Sequence, residues 1–176
     1  MQLDNLSIPV VRELMLAEVE FDAGQGGLYL SPRLSALGRE RYRGLLEDAI
    51  RAGGPETLAA SIGRSGILNP TEQRQTKKGP ITARVPVTAP ETLAEGEFNR
   101  FYARAVARRA LEVGQETVEV YRAKHVEAPR AESVAKVGTF VPAEQLLRDL
   151  RTHVGVDTAL GIPAGPNSGL SVRLAT

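Results

Sequence analysis

A chain of 176 residues with 42% apolar side chains is the size of one globular unit, or of one unit with an arm, and can bury a core of its own. It holds no cysteine, which excludes disulfides, thiolate catalysis and cysteine-ligated zinc or iron–sulfur centres; its formal charge of +1 excludes steering of polyanions by the overall field. Aromatic residues make up only 5% of the chain and tryptophan is absent, so the core must rest on Leu, Val, Ile and Ala around a few anchors, Phe21, Phe98, Phe101 and Phe140.

The opening Met1-Gln2-Leu3-Asp4 has no basic or apolar leader character, and no run approaches the roughly 20 apolar residues that cross a bilayer. A soluble, cytoplasmic protein with no membrane partner is therefore expected. Ser7-Ile8-Pro9 reads as a helix start with Pro just inside, and Val10, Val11, Leu14 and Leu16 carry an apolar face to about Glu18. A strand competes there, because Leu16, Val19 and Phe21 are interleaved with Glu18, Glu20 and Asp22. Gly24-Gln25-Gly26-Gly27 breaks the chain, and Leu28-Tyr29-Leu30 is an extended apolar patch in need of a surface.

Leu37, Tyr42, Leu45, Leu46, Ala49 and Ile50 recur at helical spacing and predict a helix from Ser35 to Ala52, stopped by Gly53-Gly54. Pro55-Glu56-Thr57 opens a short third helix with Leu58, Ala59 and Ile62 on one side. Between Asn69 and Pro90 the chain is polar, basic and punctuated by Pro, with one candidate strand at Ile81 to Val87; it reads as a linker or an arm. Glu91 to Val113 is the clearest element, an amphipathic helix with acidic residues in its first turns and Gly114 as terminator.

Thr117 to Ala123 alternates as a half-buried strand, Pro142-Ala143-Glu144 opens a helix bearing Leu146, Leu147 and Leu150, and Val156 to Ile162 and Leu170 to Leu174 are candidate strands joined by a Pro- and Gly-rich crossover. The fold class is thus α+β: a helix-rich, partly extended N-terminal half, then a central amphipathic helix and a small mixed sheet with one further helix. The division expected is an extended or helical arm over 1–90, with its linker at 69–90, and a compact α+β domain over 91–176.

The sharpest chemical feature is Arg100, Arg104 and Arg108, four apart on the central helix with Arg109 beside them, a stripe of guanidinium groups suited to phosphates or to a partner's carboxylates. The plainer reading is a solvated face neutralised by Glu97 to Arg100 and Arg108 to Glu112 pairs. Lys77 and Lys78, with Arg74, form a second basic cluster in the polar stretch. His125 and His153 stand apart with no neighbouring ligand residue, so no metal is expected.

No Ser sits in a Gly-x-Ser-x-Gly elbow, and the glycines form neither a dinucleotide fingerprint nor a phosphate loop, so no nucleophile and no cofactor are expected. Glu119 and Lys124 are five apart and fall on opposite faces of a strand, which argues against a metal-dependent nuclease core. With so little catalytic equipment and an opening half that lacks an obvious interior, the sequence points to a non-enzymatic structural or assembly protein. A tailed-phage head, neck or shell component is the expected kind, cytoplasmic before assembly and in the particle afterwards, contacting other subunits in many copies, with the Arg stripe holding either an acidic partner surface or packaged DNA. The alternative is a small nucleic-acid-binding or regulatory module that uses Arg100, Arg104 and Arg108 with Lys77 and Lys78.

Overall fold

The computed structural model describes residues 1–154 and 168–175. Helix α1 (Pro9–Gly24) is followed by α2 (Ala36–Ala52), α3 (Pro55–Arg64), a hairpin of β1 (Thr71–Thr76) and β2 (Gly79–Arg84), the long α4 (Ala89–Glu112), β3 (Thr117–Arg122), α5 (Ala131–Lys136), β4 (Phe140–Pro142), α6 (Ala143–Thr152) and β5 (Leu170–Leu174). This is an α+β fold. β3 lies between β4 and β5 and is antiparallel to both, so the small sheet is antiparallel among the described residues and not mixed. The candidate strand at Val156 to Ile162 lies outside the described residues.

Helix α4 is the hub. α1, α3, α6, β3 and β5 all pack against it, and every residue from Glu97 to Ala107 is buried. A surface helix shows one apolar stripe; a helix buried on every side can carry polar residues only where partners meet them. Phe98, Phe101 and Tyr102 are fully buried on it, each worth roughly 1.5–3 kcal/mol of transfer from water. Their neighbours in one continuous core come from both ends of the chain: Val11, Met15 and Val19 of α1, Leu46 and Ile50 of α2, Leu58 and Ile62 of α3, and Val118, Val172, Leu146 and Leu150 of the C-terminal part.

Residues 1–68 therefore do not form an arm. α1 to α3 close over α4, and the apparent shortage of interior in this half disappears because α4 supplies it. Local signals hold the pieces in place. The Ser35 hydroxyl caps α2 by accepting from the Gly38 amide at 3.1 Å and donates to the Ile67 carbonyl at 3.0 Å, tying the start of α2 to the end of α3. Gly38 is needed there, since a Cβ would lie 2.3 Å from the same Ile67 oxygen. Leu34 bridges to Leu68, and Arg12 of α1 donates to the Gly53 carbonyl after α2 at 3.0 Å.

The segment that does leave the body is the hairpin. Six residue pairs, from Thr71 with Arg84 to Thr76 with Gly79, run along it, Lys77 and Lys78 form its turn, and Gly79 closes that turn at φ 112°. It is anchored at its base, where Val85 donates to the Pro70 carbonyl and Arg33 donates to Glu72 at 2.6 Å. Most of its residues are exposed, including Ile81.

Candidate functional site

The arginine stripe is internal at its core. Arg104 has no solvent exposure, and its guanidinium donates to Glu18 at 2.7 Å and to both oxygens of Asp22 at 2.7 and 2.8 Å. Arg100, also buried, lies 3.3 Å from Asp22 and 3.4 Å from Glu97. Arg108 donates to Glu18 at 3.0 Å, and Arg151 of α6 donates to the same carboxylate at 2.9 and 2.5 Å. Side chains of Arg108 and Arg151 are 30% exposed, so they form the outer rim of the cluster.

Phe21 and Phe101 complete it. The Arg151 guanidinium sits 4.3 Å from the Phe21 ring centroid and that of Arg104 5.1 Å from Phe101, distances at which a cation is drawn to an aromatic face. Glu18 and Asp22 are four apart on α1, so both look along one face of the helix towards the four-residue repeat of Arg100, Arg104 and Arg108. Sliding α1 by a turn would leave a buried charge unpaired, so the network fixes the register of α1 on α4.

The electrostatics follow from burial and partners. Burial pushes the Glu18 carboxyl up, but hydrogen bonds from Arg151 and Arg104 outweigh it and hold Glu18 below its ordinary value. Glu97 is pushed up to about 7 by burial, against the pull of Arg100 and with a further push from Asp22. Tyr42, buried beside Glu97, is raised well above its ordinary value, chiefly by burial. Among the described residues, the Tyr42 hydroxyl and two of the Arg100 nitrogens find no hydrogen-bond partner.

The expectation that Arg100 and Arg104 meet phosphate or a partner is thus corrected: both are buried, Arg104 held by Glu18 and Asp22 and Arg100 beside Asp22 and Glu97. Of the two neutralising pairs expected on the helix, Glu97 with Arg100 is present, whereas Glu112 pairs with Arg109, at 3.5 Å. Arg108 is half-buried on Glu18. The missed partners, Glu18 and Asp22, left one signal in the sequence: carboxylates at helical spacing on the apolar face of α1.

Lys77 and Lys78 are exposed at the hairpin tip. Among the described residues they, like Arg84, make no ion pair. Arg74 lies on the opposite face of the ribbon from Arg84 and is bound to Glu72, as is Arg33, so Glu72, the ribbon's single carboxylate, is doubly neutralised and held below its usual range by hydrogen bonds from those two arginines. Cross-strand pairing puts Thr71, Gln73, Gln75, Pro80, Thr82 and Arg84 on one face; Gln73 donates across it to Thr82 at 2.9 Å. The sequence reading missed β1, and with it this face, because Thr71 to Thr76 holds no apolar residue and so shows no alternation.

Elsewhere the chemistry is sparse. An open groove of about 220 Å³ at the hairpin base is lined by Ile62, Leu68, Pro70, Pro86, Val87 and Pro90 with no titratable group. His153 lies 2.8 Å from Asp149, and His125 is remote from it in sequence. Among the described residues, no group of three or more His, Asp or Glu is placed to hold a metal, and no helix is long and apolar enough to cross a membrane. Glu119 is taken up by Arg173 at 2.8 and 2.9 Å. Comparison with known protein families, with curated proteins and with solved structures finds no match to this chain.

Proposed function

We propose that the protein is a non-enzymatic subunit of a larger assembly that works by contact, with the β1–β2 hairpin as its contact arm. A tailed-phage particle remains the kind of assembly proposed, in which this chain stands among many protein subunits. The observation that carries the reading is the arm itself. A two-stranded ribbon alone is marginally stable in water, yet this one extends from the body with both faces largely uncovered. Of the basic residues singled out in the sequence, Arg100 and Arg104 are paired inside the body, whereas Lys77 and Lys78 are exposed and make no ion pair among the described residues.

A second exposed feature supports contact with protein neighbours. β4 is an edge strand of only three residues, and Phe140 on it is 58% exposed, with Val134 of the preceding α5 and Val137 just after that helix also exposed. An uncovered edge beside apolar side chains is the geometry through which sheets add further strands.

The test replaces residues 71–84 by a Gly-Ser linker in the full chain. A contact arm is dispensable for folding, so the variant should keep the far-ultraviolet spectrum of the body and melt within a few degrees of the parent. Collapse of the fold would make the hairpin a structural element and end the proposal.

A further inference from the structure

We infer that the free face and tip of the hairpin bind duplex DNA, the ribbon entering the major groove with Lys77, Lys78 and Arg84 on phosphates. This inference rests on the reading of the hairpin as a contact arm and names its partner. Three observations favour a nucleic acid. The first is the segregation of charge: Glu72 lies on the other face and is already bound by Arg33 and Arg74, so the face bearing Arg84, together with the tip, presents cations and no carboxylate. Lys77, Lys78 and Arg84 are exposed and make no ion pair among the described residues.

The second is the polar character of the face. Thr71, Gln73, Gln75 and Thr82 offer hydroxyls and amides, groups that donate to phosphate and accept from or donate to base edges. A protein-binding ribbon would need an apolar anchor there, and the exposed Ile81 belongs to the opposite face, paired with Arg74.

The third is size. Two strands about 5 Å apart, extended by their side chains, match a B-form major groove about 12 Å wide, and six residues span about 20 Å along it. The deep, narrow major groove of an A-form duplex does not admit such a ribbon. The hairpin also lacks aromatic residues, the platforms on which single strands stack.

Three phosphate contacts give a slope of log K against log salt of about −2.7, so affinity should fall about 40-fold between 50 and 200 mM salt. The experiment measures fluorescence anisotropy of a labelled 20-base-pair DNA duplex with the full chain at these two salt concentrations. The parent should bind with this dependence. The triple variant Lys77→Ala, Lys78→Ala, Arg84→Ala should bind at least tenfold more weakly at 50 mM and lose most of the slope, whereas Arg108→Ala, on the body, should change neither.

Absence of binding by the parent, or binding that survives in the triple variant, overturns the inference. Equal binding of an RNA duplex or of single-stranded DNA overturns groove entry. Binding of poly-glutamate as tight as that of DNA, through the same three residues, makes the arm a receptor for acidic proteins and overturns the nucleic-acid assignment. The linker variant separates the two readings: if its body folds while the parent chain ignores DNA, the arm stands and its DNA partner falls; if its body unfolds, both fall.

Discussion

Replacing Arg104 with Met tests the buried cluster directly, because the side chain keeps much of its length and loses the charge. Glu18 and Asp22 are 0% and 3% exposed, so neither carboxylate can turn to water once the guanidinium is gone. Removing one partner of a buried ion pair costs about 3–5 kcal/mol. The lower end applies here, since Arg108 and Arg151 still reach Glu18 and Arg100 still stands 3.3 Å from Asp22.

A loss of about 3 kcal/mol corresponds to a fall of about 6–12 °C in Tm for a chain of this length. Urea unfolding followed by circular dichroism at pH 8 and pH 5 gives the stability, and the sign of the pH effect is part of the test. In the parent, the Glu18 carboxyl is held below its ordinary 4.5, so the stability it contributes persists above that value and is lost only as pH falls through the lower folded value. Without Arg104 the Glu18 carboxyl loses part of what holds it down and takes up a proton more readily as the solution is acidified, so the deficit should shrink from pH 8 to pH 5. A variant within about 1 kcal/mol of the parent at pH 8, or a deficit that grows towards pH 5, would refute the assignment of these charges as a mutually dependent buried set.

Glu97 behaves in the opposite sense. Its carboxyl is raised to about 7, so the native state keeps a proton that the unfolded chain releases near 4.5, and parent stability should decline as pH rises across that window and level off above it. Glu97→Gln should flatten this decline and be the more stable protein at pH 8, by on the order of 2–3 kcal/mol, read from denaturation midpoints across the range. Gly38→Ala should destabilise by about 1–3 kcal/mol despite the better helix propensity of Ala, since the new methyl meets the Ile67 carbonyl; thermal melts that match or exceed the parent would show that α2 can move away.

Helix boundaries were legible wherever Gly and Pro mark them. α2, α3, α4 and α6 begin and end within a few residues of the positions that Ser35, Pro55, Pro90, Pro142, Gly53 and Gly114 indicate. α1 runs six residues beyond the expected end at Glu18, because the alternation that suggested a strand is also the i, i+4 spacing of Glu18 and Asp22, and carboxylates on an apolar face look like an error until their arginines are known. β1, β4 and α5 were missed: the first holds no apolar residue, the second is three residues long and the third six.

The stripe of Arg100, Arg104 and Arg108 was visible, but its direction was not. Helical spacing says which residues share a face and nothing about whether that face looks outward, and the answer lay in residues more than 75 positions upstream. Lys77 and Lys78 were visible as a cluster, whereas their place at the tip of a ribbon depended on strand pairing that Thr, Gln and Arg do not advertise.

The position of α4 also governs when this protein can acquire its native form on the ribosome. The buried carboxylates of α1, Glu18 and Asp22, leave the exit tunnel early, yet their guanidinium partners follow 78 to 133 residues later, the last of them on α6. α1, α2 and α3 therefore wait, with their apolar faces unsatisfied, until the hub and then the last helix have been synthesised. Apolar surface left uncovered through that interval is the condition under which chains aggregate before they fold.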